Sequence, residues 1–76
     1  MPQLHQAAVR TWYHIAPSGV ENSRLQALGF LPFEPIRVLR RSWWSRGAMV
    51  VQLGNTTFAL RYDEASQIPV DNGGAP

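Results

Sequence analysis

The sequence predicts a mainly β domain: a small barrel of five short strands, with one short α-helix near residues 22–28 and a single helical turn near residues 63–66. Three observations carry this. Apolar residues alternate with a period of two in several runs of five or six residues, the spacing of half-buried strands. Gly, Pro and Asn separate those runs at short intervals, as in all-β domains with tight turns. Only one longer window, opening at Asn22, combines a cap with apolar residues at helical spacing. Closing such strands into a barrel removes most of the exposed edge that an open sheet would present.

Taken in order, Met1 to Val9 is weakly patterned and is expected to be a flexible N-terminus. Arg10 to Ala16 is rich in aromatic and β-branched residues and is expected as the first strand. Its alternation places Trp12, His14 and Ala16 on one face and Thr11, Tyr13 and Ile15 on the other, without deciding which is buried. Pro17-Ser18-Gly19 ends it. Asn22 or Ser23 can cap the helix, and Leu25 and Leu28 would share its apolar face. Gly29 suits the left-handed position that stops a helix, with Phe30 folding back against it. Pro32 and Pro35 forbid continuation and lead into the next strand.

Ile36 to Arg40 and Met49 to Leu53 are the next two strands, joined by the loop Arg41-Ser42-Trp43-Trp44-Ser45-Arg46-Gly47. Gly54-Asn55 turns the chain into Thr56 to Arg61. Asp63 is placed to cap one helical turn over Glu64-Ala65-Ser66, and Ile68 and Val70 form a short final strand. The expected core is Leu25, Leu28, Val38, Val51, Leu53, Phe58, Leu60, Ile68 and Val70. The domain is thus expected to span residues 10–70, followed by a disordered tail over 71–76 that has no large apolar residue to anchor it.

A chain of 76 residues supports one core, and a domain of this size buries only about 60% of its unfolded surface. The sequence contains no cysteine, which excludes disulfide staples and thiolate metal sites. No apolar run approaches the roughly 20 residues of a membrane-spanning helix. The first residues lack the basic and apolar regions of a secretory signal, so a cytoplasmic protein is expected. The net charge is only +2, and every basic residue is arginine. No Ser has a neighbouring His–acid arrangement, and no Gly-rich phosphate loop is present, so enzymatic readings find no support.

The order and spacing of two runs carry a resemblance. Leu25-x-x-Leu28-Gly29-Phe30-x-Pro32 leads into Ile36-x-Val38-x-Arg40 and Val51-x-Leu53-Gly54, and the chain closes with Ala59-Leu60-Arg61-x-x-Glu64-Ala65-x-x-Ile68-x-Val70. This resembles FeoA, the small accessory protein of bacterial ferrous-iron transport, and is also similar to the C-terminal domain of iron-dependent DtxR-type repressors. The resemblance covers about two-thirds of the chain. It implies an SH3-like five-stranded barrel, no enzymatic activity, and action beside a large membrane-bound ferrous-iron permease with a cytosolic GTP-binding domain. Two departures stand out: the family usually has Pro-Gly where this chain has Pro32-Phe33, and Gly-Asp-Pro in the loop that here holds Trp43, Trp44, Arg46 and Gly47.

Candidate sites follow from these features. Trp43, Trp44, Arg41 and Arg46 form the expected partner-binding patch, since Trp and Arg concentrate binding energy at interfaces. The bland alternative is that one Trp caps the barrel while the other covers arginine stems. For metals, His14 and His5 are the only nitrogen ligands, with Glu21, Glu34 and Glu64 as carboxylates. They match no spaced motif, so no cofactor is required. Weak surface binding of iron or zinc, within one molecule or between two copies, is the most they would support. Glu64 is otherwise expected to pair with Arg61 on an exposed turn. Two other functions compete with the transporter accessory: a nucleic-acid-binding barrel using Arg37, Arg40, Arg41 and Trp43, and a metal-sensing or peptide-docking regulatory domain.

Overall fold

The central strands form because their apolar residues alternate, and the structure, a computed structural model, describes residues 3–41 and 48–71 of the chain. The strands are β1 (Tyr13–Ile15), β2 (Pro35–Arg41), β3 (Ala48–Leu53), β4 (Thr56–Arg61) and β5 (Val70–Asp71). Two short helices, α1 (Ser23–Leu28) and α2 (Tyr62–Ala65), and a 3₁₀ turn at Leu4–Gln6 complete the described elements. The sheet order is β4-β3-β2-β1-β5, antiparallel throughout. Met49, Val51 and Leu53 of β3 face the same core as Ile36 and Val38 of β2 and Leu60 of β4. The mainly β expectation holds, with both helical segments close to their expected places.

β3 and β4 pair without interruption from Ala48↔Arg61 to Leu53↔Thr56. Gly54 opens the connecting turn at a φ of 59°, a left-handed position that glycine occupies without steric cost. β2 is less regular. Val38 pairs with Val51 but Arg40 pairs with Val50, so Leu39 is an extra residue in the ladder, a β-bulge. The bulge extends β2 to Arg41 and reverses its phase: Arg41 now sits opposite buried Met49, on the core side. Simple alternation from Ile36 would have placed it outward.

α1 follows the expected design. The Asn22 side chain accepts from the N–H groups of Arg24 at 2.9 Å and Leu25 at 3.2 Å. Gly29 takes a φ of 107°, and Phe30 N–H returns to the Leu25 carbonyl, closing the helix with a Schellman-type bond. Phe30 is fully buried and lies against Phe58, ring centroids 5.1 Å apart. Leu28, expected in the core, is instead 41% exposed. It lies about 60° around the helix from Leu25, and in a helix this short only one residue can point straight at the sheet. Phe30, two residues on, is in the buried core instead.

The segment before Arg10, expected to be loose, packs into the barrel. Leu4 and Ala7 are buried, Leu4 N–H donates to the Ile68 carbonyl at 2.8 Å, and Val9 bridges Val38. Its polar residues hid this, because only Leu4 and Ala7 are needed inside. The first strand is shorter than the run Arg10 to Ala16. Arg10 adopts a left-handed φ of 64° that breaks the extended path, and only Tyr13–Ile15 pair regularly. The final strand reaches Asp71, which pairs with His14, so the expected tail from 71 loses its first residue to the sheet. Residues 72–76 lie outside the described residues.

α2 starts one residue earlier than expected, because β4 runs directly into it through extended Arg61. Asp63 is therefore inside the helix, its carboxylate accepting from Glu64 N–H, and Arg61 is the cap residue. The Glu64 side chain accepts from Arg61 N–H at 3.0 Å. Its ion pair is with Arg24, across the gap between α2 and α1, and not with the Arg61 guanidinium as expected. The hydrogen bond from Arg24, then that from Arg61 N–H, hold the Glu64 carboxyl below its ordinary value. Arg24 is 67% exposed, so the pair is screened and contributes roughly 0–1 kcal/mol.

Two predictions follow from this packing. Leu4→Ala should cost about 2–5 kcal/mol in urea unfolding, whereas Leu28→Ala should stay within about 1 kcal/mol of the parent. A Leu4→Ala loss within about 1 kcal/mol would place the N-terminal segment outside the core. Because the Glu64 carboxyl is lowered on folding, its contribution is complete above the unfolded value near 4.5 and fades as pH falls through the lower folded value. Thermal melts of Glu64→Gln should show a small deficit at neutral pH that shrinks towards zero in strong acid. A deficit independent of pH would contradict the assignment.

Candidate functional site

β2 and β3 present the expected partner-binding loop at their shared end. Trp43, Trp44 and Arg46 lie outside the described residues, which resume at Ala48. Arg41, the fourth member of that patch, is described and half-buried. Its guanidinium donates to the His5 carbonyl at 2.9 Å and to the Ala7 carbonyl at 2.6 Å. The bulge at Leu39 turns this side chain inward, where it fastens the N-terminal segment across the end of β2. Hydrogen bonds from a charged donor are each worth about 1.5–3 kcal/mol, so Arg41 serves the fold first. An open recess of about 460 Å³ lies between α1, β4 and α2, bordered by Ala48 at the start of β3. Arg24, Arg61, Asp63 and Glu64 line it with charges of both signs, and its central pair is already satisfied.

The metal candidates are not brought together. His5 stands in the 3₁₀ turn with its ring edge-on to Tyr62, centroids 6.3 Å apart. His14 lies in β1 between Pro35 of β2 and Asp71 of β5. The Nδ1 atoms of both are buried without a hydrogen-bond partner, so neither ring offers that nitrogen to an ion in solvent. Glu21 is exposed on a separate recess lined by Gln3, Ser66 and Gln67, Glu34 is exposed before β2, and Glu64 is engaged by Arg24. Among the described residues no three His, Cys, Asp or Glu side chains converge. A resident metal has no donor set there.

The arginines proposed for nucleic acid also divide. Arg37 lies over the Trp12 ring at 4.6 Å from its centroid and donates through Nε to Gln52 at 2.9 Å. Gln52 in turn donates to the Gly54 carbonyl, so this array is tied to the sheet. Arg40 is exposed, Arg41 is spent internally, and Trp43 is outside the described residues.

A feature that sequence reasoning did not place lies between α1 and β2. Glu34 N–H donates to the Leu31 carbonyl, closing a β-turn with Pro32 second and Phe33 third. Phe33 has a φ of 71°, the left-handed third position of a type II turn, where glycine is favoured. An L-residue there costs about 1–2 kcal/mol. Neighbouring bonds impose the conformation: Phe33 N–H donates to the Ile15 carbonyl, and Ile15 N–H to that of Glu34. Phe33 is nevertheless 66% exposed, with Leu31 at 45% and Leu28 at 41% beside it in the chain. The signal was the pair Pro32-Phe33 itself, a turn dipeptide with an aromatic residue at the glycine position.

Comparison with known proteins agrees with the fold. The model of the FeoA domain matches residues 13–72. None of the curated proteins compared with the chain matches it. Iron(II) transport protein A from Clostridium thermocellum superposes with a TM-score of 0.80 at 24% identity, over 96% of this chain and 46% of that one. This chain therefore spans under half of that chain's length, and the likeness shows the fold. FeoA from Stenotrophomonas maltophilia, crystallised with zinc, superposes with a TM-score of 0.75 at 26% identity, over 93% of this chain and 91% of that one. It is described as an SH3 domain protein and a candidate bacterial ferrous iron transport activating factor. With its five-stranded SH3-like sheet and a domain match over residues 13–72, the chain belongs to the FeoA family of ferrous iron transport.

Proposed function

We propose that this protein is a cytoplasmic accessory of ferrous iron uptake that binds the cytosolic part of a large GTP-binding ferrous-iron permease and activates it through protein contacts. The observation that carries the reading is the FeoA domain match, together with the activating role put forward for the Stenotrophomonas maltophilia relative. Several features of the chain support a contact module. The described surface has an open recess and an exposed apolar turn, and no described helix is long and apolar enough to cross a membrane. Arg41 and Arg24 are held by internal partners, which withdraws two cations from any phosphate-tracking surface. The reading assigns the chain no catalysis of its own and no resident metal; ferrous iron is the cargo of the permease. The Trp43-Trp44 loop belongs to it as a second contact, specific to this chain.

Isothermal titration against the purified cytosolic domain of the permease from the same genome is the test, paired with its GTP hydrolysis rate. Saturable one-to-one binding, and a changed hydrolysis or transport rate in the full permease, are expected. Absence of binding to both the domain and the full permease would overturn the reading.

A further inference from the structure

We infer that the turn Leu31–Glu34 is the docking knob of this protein. In it, Phe33, with exposed Leu31 and Leu28 near it in the chain, inserts into a concave apolar pocket with a basic rim on the cytosolic part of the transporter. This rests on the function proposed above and adds the contact surface. The first ground is conformational. Phe33 occupies a left-handed turn position that glycine would fill without strain, yet most of its ring is in solvent. Burial in the monomer therefore does not compensate for the strained conformation. An aromatic side chain held outward on a hydrogen-bonded turn suits a binding anchor, because the backbone beneath it loses little further entropy when a partner buries the ring. Two hydrogen bonds to Ile15 fix the turn to β1, so the ring is presented from the sheet and not from a loose loop.

The second ground identifies the occupant. Exposures of 66%, 45% and 41% for Phe33, Leu31 and Leu28 leave about 300 Å² of apolar side chain. A stable dimer needs about 800 Å² from each partner, so two such knobs face to face fall well short. A small protrusion entering a preformed pocket buries its whole area and loses less. Charge selects between a protein and a lipid surface. Glu34 is exposed beside Phe33, and among the described residues its carboxylate has no ion-pair partner. That charge opposes the anionic cytoplasmic leaflet and complements an Arg or Lys at a pocket rim.

The full chain and its variants Phe33→Gly, Leu31→Ser and Glu34→Arg, titrated against the permease cytosolic domain and the full permease, test the inference. Phe33→Gly should melt at the parent temperature or up to about 4–8 °C above it, since strain is relieved. Its binding should weaken at least about tenfold. Leu31→Ser should weaken binding in the same direction, and Glu34→Arg should do so at low salt with a smaller effect at high salt. Binding by the parent that Phe33→Gly and Leu31→Ser leave unchanged would overturn the knob while leaving the functional reading intact. No binding by the parent would overturn both. The knob would also be overturned by Phe33-dependent dimerisation in sedimentation, or by Phe33-dependent binding to anionic vesicles without binding to the permease.

Discussion

One extra residue in β2 determines how this small domain closes. The bulge at Leu39 shifts the phase of the strand so that Arg41 pairs opposite Met49 and points towards the core side. There it meets the carbonyls of His5 and Ala7, which otherwise would have no donor from the strand end. Fastened in this way, the N-terminal segment delivers Leu4 into the core and pairs with Ile68 and Pro69, just before β5. A barrel of 76 residues has little apolar surface to spare, so this closure matters more than it would in a larger domain. The same strand end leads towards residues 42–47, which lie outside the described residues.

Much of the frame could be read from the chain because local chemistry and packing agree. Asn22, Gly29 and the alternation at Met49, Val51 and Leu53 each specify one conformation, and the structure uses all of them. Where the reading failed, a tertiary contact decided. Leu4 has no neighbours of its own pattern, and its burial depends on strands far along the chain. Leu28 has the right spacing, yet it is exposed while Phe30, just past the helix, is buried in the core. Glu64 had Arg61 near in sequence, whereas Arg24 is nearer in space. The bulge has no local signature in Val38-Leu39-Arg40, so the inward turn of Arg41 was not legible.

The candidate sites were less legible than the frame, for a physical reason. An interface is defined by what leaves side chains exposed against their preference, and exposure is a property of the folded chain. Arg41 looked like a surface cation and proved to be a clasp. Phe33 looked like a substitution in a turn and proved to be a strained, exposed aromatic residue. Family membership then supplies the system in which such a surface would act, while the exposed turn at Phe33 is a property of the folded chain.

The central claim, that the chain promotes ferrous iron uptake through its contact with the permease, is tested most directly by uptake of radiolabelled ferrous iron in cells lacking this protein but retaining the permease. The account predicts that uptake is low in these cells and is restored by the unaltered chain expressed in trans. Uptake equal to the parent strain's in the absence of the protein, under ferrous-limited conditions, would contradict it.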